Sequence, residues 1–520
     1  MAVSVSAVAC LCAGLLAVAS SLLAAALAWL WAFRPRTTAP GPPTLPLLGN
    51  IRPPVKFRLL VHGLRECHRR YGDIYRYYVG PKLFIVISRP EDVRKVLAST
   101  KTRERDPYFM HVLRTLISDG LITCTGDTWR RHRKAIEPAF HYEVLMKLMG
   151  TFNESGLSLC EKLAETAGAT VDVYPMLMVC ALRTIMKAMF GVELDRLEPD
   201  RRKHSRIAAI RKMSAIIVRP WKTITGAMWL SAEGRAVKKN IAEFRSLAKG
   251  GLAIARENMK ADGVTPLVHF LSEQKHGQHM TEEEIYNEIR TLALSAVETT
   301  AASMGFTLAL LGLHPEWQDA AQRQLDDVFG SGGDYLRPAT VSDLSQLTVI
   351  DAIVKESLRL FPTIPNMSHL VTEDTPLCEG RHVAPRGCCV LVSFLLMHRR
   401  PDLFPEPDLF DPGRFLPGGS ATSRQPGSYL PFGTGPRKCV GARFADLEMR
   451  VALAAVLRRF RIRPSSTRQQ LEQIPLSVTA HPLTGYRVSC VLRDNVAVAS
   501  SWQDTCGLKF SHRHEESRKT

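Results

Sequence analysis

The chain has 520 residues, with 45% hydrophobic and 23% charged. That is ordinary globular usage, and it excludes a disordered, collagen-like or many-pass membrane protein. Net charge is +18, which favours acidic partners such as anionic lipid or an acidic protein face. Twelve cysteines fall in no CxxC pair and no regular framework, so most read as free thiols in a reducing compartment.

The first charged residue is Arg34, and residues 2–33 before it are almost wholly apolar or small. About 20 such residues suffice for a membrane-spanning helix. The run has no basic n-region and no amphipathic arginine pattern, so it reads as an uncleaved anchor. Arg34 and Arg36 follow at once and place the rest of the chain on the cytoplasmic side. Residues 34–50 are a basic, proline-rich hinge, with four prolines between Pro40 and Pro46. Prolines stop the helix and stiffen the connection.

From Asp73 the period changes. Ile74–Val79, the Gly80-Pro81 pair and Leu83–Ile87 predict a β-hairpin. Pro90-Glu91-Asp92 opens a helix. Residues 110–365 are largely helical by apolar spacing. Residues 366–495 are irregular, with short strands and many Pro and Gly. Residues 496–520 form a polar tail. Length alone suggests three or four domains at about 150 residues each.

The stretch from Arg201 to Lys222 is strongly basic and interleaved with Ile207, Ile210, Ile216 and Ile217. A solvated helix face or contact with anionic lipid explains it. No nucleic-acid reader motif accompanies it, so nucleic acid is not expected as a partner.

The sharpest signal is Phe432-Gly433-Thr434-Gly435-Pro436-Arg437-Lys438-Cys439-Val440-Gly441. It is a tight loop around one sulfur, ahead of an apolar helix pattern. A cysteine near a helix start and beside Arg437 and Lys438 has thiolate character, the form that ligates metal. No second Cys or His stands at zinc spacing around it. One thiolate to a haem iron fits, because the porphyrin supplies the in-plane ligands.

This loop resembles the haem-binding signature of the cytochrome P-450 monooxygenases, and Phe432, Gly435, Arg437, Cys439 and Gly441 match each fixed position. Other elements follow in the family's order. Glu356 and Arg359 resemble its ExxR pair, and Arg414, in Phe410-Asp411-Pro412-Gly413-Arg414-Phe415, would complete a charged triad with them. The resemblance gives this triad a structural role under the haem loop. Trp129 and Arg133 resemble the WxxxR element, which with Arg437 would hold a haem propionate. His369 stands where the family usually places a further propionate-binding arginine, and a charge there would depend on pH.

Thr281-Glu282-Glu283-Glu284 is a capping box that opens a long helix over Glu282–Leu313, ended by His314-Pro315. Into its apolar stretch fall Glu298 and Thr299. One reading is a helix-lining threonine bonded back to a carbonyl. The resemblance implies another, the family's acid–alcohol pair that delivers protons during oxygen activation. The family's small-Gly pair is Ser295-Ala296 here. Val371-Thr372-Glu373-Asp374 and His398-Arg399-Arg400-Pro401 look most like the branch containing the fatty-acid ω-hydroxylases. Ser295 replaces the glutamate that many of that branch use for a covalent haem ester.

The resemblance covers about residues 40–495, implies one haem-thiolate monooxygenase domain over 51–495, and overrides the estimate from length. The expected fold is mainly α with a small β-rich side, preceded by one N-terminal transmembrane helix. The implied activity is insertion of one oxygen atom from O2 into a lipophilic small molecule. Haem b, iron protoporphyrin IX, would be axially ligated by Cys439. No nicotinamide or flavin motif occurs here, so electrons would come from a separate NADPH-dependent flavoprotein reductase, with cytochrome b5 a further candidate. Arg130, Arg131, Lys134, Lys438 and Arg443 would suit an acidic docking face. The implied location is the endoplasmic reticulum membrane, single-pass, with the body cytosolic. Met110, Leu113, Ile117, Ile364 and Met367 are the apolar candidates for substrate contact. The alternative is a haem-thiolate isomerase or dehydratase that needs no reductase. Relatives of that kind often lose the acid–alcohol pair.

Overall fold

The computed structural model describes residues 5–32, 34–45, 49–50, 60–99, 104–197, 231–258, 266–272, 280–330, 333–475 and 477–493. The basic stretch at 201–222 and the polar tail lie outside these. The fold is mostly helical with a smaller strand-containing part. It resolves into two compact units. One takes residues 1–111, 364–400 and 425–439, and the other takes 112–363, 401–424 and 440–520.

The first unit begins with the apolar helix Val5–Ala32. Within it, Cys12–Trp29 is long and apolar enough to cross a membrane, and none of that stretch is covered by protein. The unit's core is a four-stranded sheet. The hairpin strands are β1 (Ile74–Val79) and β2 (Lys82–Ile87), joined at Gly80, whose φ of 57° suits a tight turn. β3 (Thr170–Asp172) belongs to the other unit; β4 (Asn366–Leu370) returns to this sheet. β5 (Thr375–Leu377) and β6 (His382–Ala384) pair separately, and β7 (Cys389–Ser393) completes the sheet, in the order β1-β2-β7-β4. β2 and β7 run parallel, with Phe84 opposite Cys389, and the other pairs are antiparallel. Leu83, Ile85, Val86 and Ile87 are fully buried, as a central strand covered on both faces requires.

The proline-rich hinge is bonded to this unit rather than hanging as a spacer. Pro40 O accepts from Arg76 N at 2.7 Å, and Thr37 Oγ1 donates to Val383 O at 2.9 Å. Tyr78 Oη donates to Pro35 O at 2.9 Å, and Arg34 stacks on Trp31 with its guanidinium carbon 3.6 Å from the ring centre. Gly41 has no alternative, because a Cβ there would stand 2.1 Å from Arg76 O.

The second unit is built on the long helix, which runs over Glu282–Leu313 as its capping box predicts. Thr281 accepts from Glu284 N, and Glu284 returns the bond to Thr281 N. This helix also contains an 18-residue window apolar enough to span a membrane, yet 78% of that window is buried inside the protein. It packs against the helix Tyr174–Phe190, and the helices Met149–Ala164 and Ala442–Arg459 pack on each other. Gly305 admits the Tyr486 ring, which a Cβ would meet at 2.7 Å, and Phe306 stacks on Phe361 at 4.3 Å. A small sheet of β3, β9 (Arg487–Leu492) and β8 (Phe460–Pro464) closes this unit.

Candidate functional site

The predicted site residues are divided between the units. Phe432, Gly435, Arg437, Cys439 and His369 lie in the first. Trp129, Arg133, Glu298, Thr299, Gly441 and the Glu356–Arg359–Arg414 group lie in the second.

The cysteine loop is folded on itself. Cys439 N donates to Phe432 O at 3.0 Å, and Lys438 N to Gly435 O at 3.1 Å. Gly433 and Gly435 have φ of 70° and 75°, the left-handed region that glycine adopts freely. A Cβ on Gly435 would also stand 2.3 Å from Leu97 O, so this glycine is required twice over. Cys439 is solvent-exposed. Gly441 caps the helix Ala442–Arg459 and accepts from Ala445 N at 2.9 Å. At the loop's entrance the fully buried His398 accepts from Leu430 N through Nε2 at 2.9 Å. Its proton therefore sits on Nδ1.

Beside the loop, the nearly buried Arg437 lies 4.0 Å from Glu104. The neighbouring Arg105 places NH1 3.2 Å from His369 Nε2. An arginine can only donate, so Nε2 accepts and this imidazole is neutral. Loss of hydration, then repulsion from Arg437, holds the Arg105 guanidinium down at about 9. The two crowded guanidiniums of Arg105 and Arg437 thus stand by the carboxylate of Glu104. This donor set fits an anionic group such as the carboxylates of a haem. Arg105 was not singled out in the sequence, because it stands in no motif and its partner is 264 positions away.

In the second unit, Glu356 and Arg359 form a fully buried bidentate pair at 2.7 and 2.8 Å. Arg359 also donates to Pro407 O and Leu409 O, and Glu356 accepts from Asp411 N at 2.9 Å. Arg414 lies 3.5 Å from Glu356 and donates to Glu406 O. The triad thus ties one helix, Thr348–Leu360, to the loop over 406–414. Trp129 and Arg133 stand one turn apart on the helix Gly126–Ile136, with Trp129 buried and Arg133 reaching Glu137 at 3.3 Å. Of the cations proposed for docking, Arg131 is held by Glu284 and Arg130 by Asp127.

Thr299 donates to Ser295 O at 2.6 Å, and Ser295 donates to Thr291 O at 2.5 Å. The hydroxyls therefore form a ladder along one helix face. The back-bonded threonine weighed from the sequence is present, and its oxygen retains acceptor capacity beside Glu298.

Comparison with known proteins adds the deciding observation: the family described as Cytochrome P450 matches residues 39–487. The chain belongs to the cytochrome P450 family. It is 30% identical to human cytochrome P450 4F12 over 88% of this chain and 92% of that protein. It is 31% identical to human cytochrome P450 4V2 over 77% and 79%. Against cytochrome P450 4c3 of Drosophila melanogaster the identity is 29% over 88% and 89%. These relatives all carry family 4 names, in line with the branch that the motifs suggested. As a cytochrome P450 the chain is a haem-thiolate monooxygenase, and a cysteine thiolate is the family's iron ligand.

Proposed function

We propose that Cys439 is the thiolate that ligates the haem iron. The protein would oxygenate a lipophilic small molecule with electrons from a separate NADPH-dependent flavoprotein reductase. The observation that carries this is the cysteine loop, a glycine-shaped turn presenting one exposed sulfur beside a buried cationic cluster. Arg437 and Arg105, with neutral His369 orienting Arg105, would hold propionate carboxylates, as would Trp129 and Arg133. Haem held by Cys439 would supply the oxygen activation.

The remaining roles belong to this chain's own groups. Glu298 takes protons from solvent, and Thr299 holds them at Oγ1 on the long helix. The Glu356–Arg359–Arg414 triad keeps the 406–414 segment rigid. Met110, Leu113, Ile117, Ile364 and Met367 would offer the substrate an apolar surface. The helix Val5–Ala32 would anchor the protein in the endoplasmic reticulum membrane, with Arg34 and Arg36 holding the body in the cytosol. Presence of both Glu298 and Thr299 favours oxygenation over isomerisation or dehydration.

The test is spectroscopic and kinetic. Reduced protein with carbon monoxide gives the band characteristic of thiolate ligation, and Cys439→Ala loses it. Product formation requires both NADPH and reductase. A wild-type protein without the thiolate band would sink the assignment of Cys439. Turnover that ignores the reductase would instead favour the isomerase.

A further inference from the structure

One cluster of ligating side chains in the second unit takes no part in the reading above. Cys124 stands in the loop before the helix Gly126–Ile136, His132 lies on that helix, and Glu288 lies on the long helix. All three are buried, at 3%, 0% and 0% exposure. A thiol sulfur, a ring nitrogen and a carboxylate oxygen, one from each, lie within 4.8 Å of one another.

The cluster has the layout of a metal site in two further respects. His132 points Nδ1 at Glu288 Oε1, 2.5 Å away, and Nε2 at Glu284 Oε1, 3.3 Å away. A carboxylate on the far nitrogen of a histidine is the usual orienting partner of a metal-bound imidazole. Glu284 is itself fixed by Arg131 and the Thr281 cap. Second, Glu288 Oε2 is buried without a hydrogen-bond partner among the described residues. A carboxylate oxygen in that state is unfavourable, and a cation is one group that would satisfy it.

We propose that Cys124, His132 and Glu288 bind one divalent transition-metal ion of zinc type, with Glu284 as the outer carboxylate. A thiolate with an imidazole and a carboxylate selects zinc-like ions over calcium or magnesium. The exchange is balanced in charge: the ion enters with two positive charges, and two protons leave, one from the Cys124 thiol and one from His132 Nδ1. The close His132–Glu288 contact must widen to roughly 3.3 Å to hold an ion at about 2.0 Å from each atom. Bound there, the ion would pin the helix carrying Trp129 and Arg133 to the long helix carrying Glu298 and Thr299. The site is independent of the haem assignment. Ligand spacing along the chain could not reveal it, because His132 and Glu288 are 156 positions apart.

The experiment uses full-length, haem-loaded protein in detergent. After chelator treatment it is given one equivalent of zinc and desalted. Zinc per haem iron is then measured, and X-ray absorption is recorded at the zinc edge. The expected result is about one retained zinc, with one sulfur at about 2.3 Å and nitrogen or oxygen at about 2.0 Å. Cys124→Ser removes the sulfur scatterer, and Glu284→Gln weakens retention about 10- to 100-fold. Should Cys124→Ser lose its wild-type circular dichroism, Glu288→Gln takes its place, with retention as the readout. No retained zinc, a sulfur shell unchanged by Cys124→Ser, or full retention by Glu288→Gln would overturn the proposal.

Discussion

Arg105 donates through NH1 to Nε2 of His369 at 3.2 Å, so the neutral imidazole orients the guanidinium and adds no charge of its own. An arginine outside any motif thus stands against the histidine for which the sequence predicts a pH-dependent charge. Arg105→Leu is expected to lower haem retention. A hydrogen bond to a charged group is worth about 1.5–3 kcal/mol, so haem transfer to a scavenger protein should quicken by roughly 10- to 100-fold. Arg105→Lys should fall between wild type and Leu. Equal transfer rates in all three would remove Arg105 from the cofactor site. His369→Phe should show a smaller effect.

Thr299→Ala is expected to leave haem content and substrate affinity nearly unchanged while more NADPH ends as hydrogen peroxide. General acid–base assistance is worth about 100-fold or more, so product per NADPH should drop clearly. Thr300→Ala is the matched control, since Thr300 is buried on the next helix position. Coupling that is identical in the two variants and wild type would reduce Thr299 to its back-bond on Ser295.

Breaking the fully buried Glu356–Arg359 bidentate pair leaves Glu356 with only Arg414 at 3.5 Å to compensate it, a loss of up to about 3–5 kcal/mol. Arg359→Met should therefore fold poorly or lose haem on mild heating. The double variant Glu356→Leu with Arg359→Met should recover only part of this, because the Pro407 and Leu409 carbonyls also lose their donor. Full recovery of the thermal midpoint would mean that the 406–414 segment does not depend on Arg359.

Glu448, on the helix Ala442–Arg459, is buried, and burial pushes its carboxyl up to about 8. The hydroxyls of Thr184 and Thr300 oppose this, but neither carboxyl oxygen has a hydrogen-bond partner among the described residues. The folded state therefore keeps a proton that the unfolded chain releases near 4.5. Between these values stability falls as pH rises, by at most about 1.4 kcal/mol per unit from this group. Glu448→Gln should flatten the fall in thermal midpoint between pH 5 and 8. An unchanged slope would show that Glu448 ionises freely in the folded protein.

Local chemistry made parts of this protein legible before its structure. The Ile74–Ile87 hairpin follows from alternation around Gly80-Pro81. The ends of the long helix follow from a capping box and from His314-Pro315. The Cys439 loop was visible because only glycine tolerates its backbone, and that constraint is written in consecutive residues. Arg105 beside His369, and Cys124 with His132 and Glu288, were not visible. Each depends on tertiary folding to join side chains whose separate contexts are unremarkable. The hinge was half legible: its prolines announced stiffness, but its bonds to Arg76, Tyr78 and Val383 depend on where the sheet lies.

Those bonds have a mechanical consequence. Trp31, at the end of the apolar helix, is linked through Arg34 and Pro35 to Tyr78 of β1, so helix and sheet share one lever. In a bilayer, a helix longer than the hydrocarbon layer accommodates by tilting. With the hinge stitched down, the tilt of an anchored helix would be transmitted to the sheet and would not be absorbed by a slack tether. With the helix anchored as proposed, membrane thickness would become a setting for the attitude of the sheet above the lipid, and Tyr78→Phe, which removes the bond to Pro35, would loosen one of the stitches that transmit it.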